Sequence, residues 1–384
     1  MLRMNNLPNT SVPIFFELIQ VSLGVRLALS YAPSKEEWKM LYHMAGKQSI
    51  TGICFLGVQK LSKQCPKQIQ ELPMGLRMRW LAAASEIQRQ NEMMDMRCAE
   101  LCGILERDGL QVCILKGQGV ANLYRSWNDT EDKSLGRLRQ IGDIDVWVKD
   151  TDIPRLVHYI RSRGLEYKAT VTHVGCDFFP RVAVELHAEP ALFRNAYYSR
   201  RLQQWCKAYD WHDFYSVKDC IVPSDSFNLV FLLVHMYHHF LREGVGFRQM
   251  MDYLMLLYSL PMGKRQMLYE EAMHTLKSFG MQRFTQGLMY VMQEVFMLPR
   301  AMMLCEPRQK VGEIILSDML ECGNMGKFRG SKTSKCNCLL GRYWTSFKRS
   351  LLFLTISPSE ILSSPIWSLR RLWHWGWRKW RIRE

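Results

Sequence analysis

The chain has 384 residues, enough for two or three compact units at roughly 100 to 200 residues each, and a formal net charge of +15. The basic excess is concentrated: from Lys327 onward 13 Lys and Arg face only Glu360 and Glu384, so the body is near neutral and gives no strong sign of a nucleic-acid groove. The 12 cysteines show no zinc-type pairing, no apolar run reaches about 18 residues, and Met1 to Pro8 lacks the apolar core of a secretory signal, so a cytoplasmic protein with reduced thiols is expected.

Taken in order, residues 1–106 read as a helical region. Residues 13–30 carry apolar positions at helical spacing, Ser34 and Glu37 form a capping-box pattern ahead of Trp38, Leu41 and Met44, and Met78 to Glu106 continues the same period. Met93, Met94 and Met96 read as packing, and no chemistry is assigned to this region.

Residues 107–215 read as a small mixed sheet with helices against it, which makes the fold class α+β with N-terminal and C-terminal helical lobes. The run from Val112 to Leu115 is a strand, the glycines Gly117 and Gly119 make a turn, and Val120 to Tyr124 is helical. The amides at such a helix start can hold a phosphate, with Lys116 as a point charge and Gly117 allowing close approach. A polar loop from Arg125 to Arg139 follows, of a length often functional.

The strand Ile141 to Val148 then alternates. Asp143 and Asp145 project from one face while Ile144, Val146 and Val148 project from the other. Two carboxylates that close raise each other's pKa unless a cation lies between them, so the pair asks for a metal. Thr151 to Gly164 reads as a helix, 165–172 and 174–179 as strands, and Pro180 with Arg181 turns the chain into Val184 to His187. There Glu185 and His187 share a face, and if this strand neighbours the Asp strand, Glu185 adds a third carboxylate suited to a hard cation such as magnesium. His173 and His187 stand near enough to be accessory groups or satisfied structural histidines.

Residues 216–320 return to helix. Ser224 and Asp225 cap a run carrying His235, His238 and His239, which within that helix lacks an acid or cysteine at zinc spacing. Arg248 and Asp252, four apart, form a helical pair or reach a nucleotide pocket. Helices over 264–279 and 282–296 complete the lobe. Residues 321–384 are a basic, Trp-rich tail: glycines 323, 326 and 330 suggest a linker, and the Trp and Arg interleaved after Pro365 suit peripheral contact with anionic membrane, docking on the protein's own surface, or single-strand stacking.

The segments ILKGQGVANLY (114–124), RQIGDIDVWV (139–148) and VELHAEP (184–190) resemble the bacterial group described as uncharacterised nucleotidyltransferase family proteins, within the polymerase-beta-like nucleotidyltransferase superfamily. The resemblance covers roughly residues 100 to 260. It implies transfer of a nucleoside monophosphate from a nucleoside triphosphate to an unidentified hydroxyl acceptor with release of pyrophosphate. Asp143, Asp145 and Glu185 would hold two magnesium ions, and Lys116, Gly117 and Arg139 would contact the nucleotide. Gln118 departs from the pattern, because it stands where a phosphate-touching hydroxyl is usual. A non-catalytic nucleotide-binding or regulatory protein on the same fold is the rival reading.

Overall fold

The computed structural model describes residues 11–126, 135–324 and 350–367. The expectations for the insert 127–134 and for the Trp and Arg run 368–384 lie outside the described residues.

Four helices come first: α1 (Ser11–Leu23), α2 (Lys35–Lys47), α3 (Thr51–Gln64) and α4 (Met74–Arg107). The first stops well short of Ser30, because the chain turns at Gly24 with φ of +74°, a conformation that glycine adopts without Cβ strain. The capping box of α2 forms as the sequence suggests: Glu37 N–H donates to Ser34 Oγ, and Ser34 N–H donates to the Glu37 carboxylate. The sequence reading did not single out α3. Every residue from Thr51 to Val58 is buried, so no polar stripe marks its period.

The central sheet contains β1 (Val112–Ile114), β2 (Ile144–Val148), β3 (Tyr167–Ala169), β4 (His173–Phe179) and β5 (Val182–His187), in the order β1-β2-β5-β4-β3. Only β2 and β5 run parallel; the other neighbours are antiparallel. This is the expected helix-rich α+β protein with a mixed sheet. One face, formed by Ile144, Val146, Val148, Val184 and Leu186, packs on the end of α4 and on α6 (Ile153–Ser162) through Leu101, Leu105, Leu156 and Ile160. Each such side chain contributes about 1.5–3 kcal/mol by leaving water.

The opposite face lies under the helical part of the chain. Trp147 stacks on Phe227 of α8 (Asp225–Arg242), with ring centroids 5.6 Å apart. Around α8 gather α7 (Ala196–Ala208), α9 (Phe247–Ser259), α10 (Met262–Ser278), α11 (Gln282–Phe296) and α12 (Gln309–Cys322). The two helical lobes expected from the sequence share one core. Phe15 of α1 stacks on Phe247, Gln20 donates to Val295 O at 3.2 Å, and Gln48 donates to Met319 O at 2.8 Å.

Residues 350–367, within the segment read as a tail, are also part of this body, while Gly326 and Gly330 of the expected linker lie outside the described residues. Phe353 lies 4.3 Å from Phe240 between ring centroids, Tyr237 hydrogen-bonds Ser357, and the Glu360 carboxylate accepts the backbone N–H groups of Arg194 and Asn195.

Candidate functional site

Parallel pairing of β2 with β5 sets Asp145 opposite Glu185 and Trp147 opposite His187. The next strand adds Gly175 opposite Glu185 and His173 opposite His187. Asp145, Glu185 and the two histidines therefore stand in adjacent rows on the α8 side of the sheet.

Lys116 follows β1, and its ammonium lies 3.0 Å from Asp145 Oδ2. His187 Nε2 lies 3.0 Å from Asp145 Oδ1 and 3.4 Å from Glu185 Oε2, and so bridges the two carboxylates. His173 Nε2 lies 3.5 Å from Glu185 Oε1. His187 Nδ1 is buried with no hydrogen-bond partner among the described residues, which puts the imidazole proton on Nε2, where it is donated.

The charges are unevenly compensated. Burial would raise the pKa of Asp145, but Lys116 and His187 outweigh it and hold the carboxyl well below the usual range. Asp143 opens to solvent at the cavity, yet its pKa is raised by the surrounding protein and by Asp145. Burial also works against Glu185, whose pKa is nevertheless lowered by the His187 hydrogen bond. For His187 the two carboxylates outweigh burial and raise the pKa, whereas burial and the neighbouring His187 lower that of His173.

Apart from the buried Asp145, these groups line a cavity of about 320 Å³. Its sheet side carries Lys116, Asp143, His173, Glu185 and His187; its far wall carries His235, His238 and His239 of α8. Read along their own helix, the α8 histidines showed no zinc-type acid, although Glu243 at the C-cap stands four after His239 and pairs with it. Folding places Asp143 and Glu185 across from them, a long-range juxtaposition for which the sequence held no signal. His238 Nδ1 is fixed by Leu192 O at 3.1 Å and His239 Nδ1 by Glu243 at 3.1 Å, while burial keeps His235 and His238 well below the usual histidine pKa. Trp367, from the docked C-terminal segment, also lines the cavity.

The turn after β1 departs from expectation. Gly117 has φ of +60°, and a Cβ there would meet Asp143 O at 3.4 Å, so glycine suits both the backbone and the approach to β2. The helix that follows, α5 (Gln118–Ala121), is one turn long. The N–H groups of Gly119, Val120 and Ala121 donate to Lys116 O or Gly117 O. Gln118 donates to Asp95 of α4 at 2.6 Å, facing a separate 480 Å³ cavity on the Ile114 side of the sheet, away from the acid and histidine cluster.

Three further residues from the sequence reading form a scaffold. Arg139 is buried and forms a two-point pair with Asp252 at 2.7 and 2.8 Å, where its charge is retained against burial, and Tyr124 Oη donates to the same carboxylate at 2.7 Å. Arg139 therefore has a protein carboxylate as partner instead of the triphosphate assigned from sequence. Asp252 pairs with Arg139 and not with Arg248 four positions earlier. Arg248 donates to Ile141 O at 2.8 Å and Gln140 O at 3.3 Å, and a Cβ on Gly142 would lie 3.2 Å from its Nη1. From the other side Asn91 donates to Arg137 O and Arg139 O. Helices α4 and α9 thus hold the loop that delivers Asp143 to the cavity.

Residues 34–297 match the family of uncharacterised nucleotidyltransferases, and the chain belongs to that family. The match takes in every strand and the helices α2 to α11, and leaves out α1, α12 and the docked C-terminal segment. Among solved structures, an antigenic nucleotidyltransferase-like protein from Paracoccidioides brasiliensis is similar at 13% identity with a TM-score of 0.34, over 57% of this chain and 96% of that one. No curated protein matches the sequence.

Proposed function

We propose that the cavity over β2 and β5 carries metal-dependent nucleotidyl transfer, moving a nucleoside monophosphate from a nucleoside triphosphate to a hydroxyl acceptor with release of pyrophosphate. The observation that carries this reading is the parallel register that sets Asp145 beside Glu185, with Asp143 opening into the same cavity. The residues suit divalent cations: the raised pKa of Asp143 marks a carboxylate short of a counter-cation, and Lys116 and His187 compensate Asp145. Asp143, Asp145 and Glu185 would hold magnesium. Bound there, the ions would polarise the alpha-phosphate, lower the pKa of the attacking hydroxyl and stabilise the leaving pyrophosphate.

The chain's own groups have definable tasks. Lys116 neutralises negative charge at the mouth of the acid cluster, where charge gathers on the phosphates. Glu185, bridged to Asp145 by His187, would in this reading also accept the acceptor's proton. Arg248 and Asp252 act at a distance, as positioning residues for the loop before Asp143.

A second reading, a nucleotide-binding regulator without transfer, is favoured by one set of observations: Gln118 and Arg139 are engaged with Asp95 and Asp252, so fewer groups face a triphosphate than the family pattern implies. The deciding experiment measures pyrophosphate release with magnesium and each triphosphate, in wild type and Asp143→Ala. Release in wild type alone supports transfer. Binding of a triphosphate that Asp143→Ala leaves unchanged, with no pyrophosphate from either protein, favours the regulator. Contact of the tail with anionic lipid is a separate part of the proposal: loss of liposome flotation on removing 368–384 supports it, and unchanged flotation removes it.

A further inference from the structure

The acids alone leave His173 and His187 unexplained. Their Nε2 atoms and the Glu185 carboxylate lie within 4.8 Å of one another, and the two imidazoles approach opposite oxygens of that carboxylate at 3.5 and 3.4 Å. These separations fit an ion's coordination shell, with the ion taking the place of the His187 Nε2 proton and the ligating ring carrying its proton on Nδ1 instead. With bonds of about 2.0–2.1 Å to nitrogen, the edge of a tetrahedron is roughly 3.3 Å. His173 Nδ1 lies 3.3 Å from Thr172 Oγ1, the kind of outer contact that orients a ligating imidazole. His173, Glu185 and His187 all line the cavity, which gives access to solvent and further ligands.

We propose that His173, Glu185 and His187 form a binding site for a borderline transition-metal ion of the zinc class, distinct in ligand chemistry from the all-carboxylate position at Asp143 and Asp145. Magnesium takes oxygen ligands and binds imidazole poorly, while zinc, cobalt and nickel favour it. A mixed centre follows, in which a hard cation accompanies the triphosphate at the aspartates and Glu185 is the carboxylate shared between that cation and the softer ion. The inference rests on the transfer reading for the ion's role, but not for its binding.

The test uses the full chain stripped with chelator and titrated with Zn2+, Co2+ or Mg2+ alone. Expected are one tight Zn2+ per chain, the strong visible absorption of four-coordinate Co2+, and weak Mg2+ binding. His173→Ala, a half-buried position, should weaken Zn2+ by at least about a hundredfold, since loss of an outer-shell partner alone costs about 10 to 100-fold. Asp143→Asn should keep the Zn2+ affinity and the Co2+ spectrum. Because the Co2+ spectrum is read on wild type, poor folding of a variant cannot hide failure. A wild-type spectrum typical of oxygen ligands, or Zn2+ affinity unchanged in folded His173→Ala, overturns the site. Transfer with magnesium and no tight Zn2+ sinks this proposal and spares the transfer reading; tight Zn2+ binding with no pyrophosphate under any metal does the reverse.

Discussion

Asp145 and Asp252 are both buried aspartates held by a cation, and their surroundings give them opposite uses. Asp252 receives two bonds from Arg139 and a third from Tyr124, in a setting sealed by helices. Asp145 receives Lys116 on one oxygen and His187 on the other, and both of those partners line an open cavity. A planar guanidinium locks a carboxylate in place, whereas an ammonium on a flexible stem and an imidazole can be exchanged for other cations. The partner's geometry, more than the burial of the acid, separates a scaffold from a site.

The sharpest way to test that contrast is to alter one acid of each kind. Asp143→Asn should lower transfer by on the order of 10³ or more, a barrier change of about 4 kcal/mol, while the melting temperature is preserved. Asp252→Ala should instead lower stability by about 3–5 kcal/mol in urea unfolding, because it strands the buried Arg139. Replacing both members of that pair by apolar residues of similar size should recover most of the loss; a double variant as unstable as the single one would mean that the pair is no mere scaffold.

Arg248→Ala, which frees the Ile141 and Gln140 carbonyls, should cost about 1.5–3 kcal/mol and lower kcat more than it raises KM. Tyr124→Phe should cost about 1 kcal/mol with transfer unaffected. The smallest effect concerns pH. The folded pKa of Asp143 lies above the usual 3.8, so its ionised form is disfavoured in the folded protein and wild type regains stability as pH falls through that folded value. Without divalent ions, Asp143→Asn should therefore be slightly more stable than wild type at pH 7, by a gain that fades in acid; solvent at Asp143 keeps it small.

Local alternation was enough to place Glu185 with His187 on one face of β5, since a strand's period of two is written in consecutive residues, whereas Asp143 stands just ahead of β2 rather than within it. Which strands become neighbours is a long-range matter, and only the fold sets Asp145 beside Glu185. Arg139 shows the limit most clearly. An arginine four before Asp143 looks like a phosphate contact, and its true partner is 113 positions away on α9. The hairpin β6 (Tyr215–Val217) and β7 (Cys220–Val222) escaped notice because Lys218 and Asp219 make its turn at positive φ, where Asn-Gly would have announced it. The α8 histidines were visible as residues but not as a wall, because the acids opposite them come from the sheet.

The docked segment 350–367 bears on anyone wishing to shorten the chain. A fragment trimmed to the boundaries shared with its family, 34–297, would strip Phe240 and Tyr237 of their cover, leave the amides of Arg194 and Asn195 without the Glu360 carboxylate, and remove Trp367 from the wall of the cavity. Such a fragment should express poorly and clump, and a silent assay on it would say nothing about the full chain.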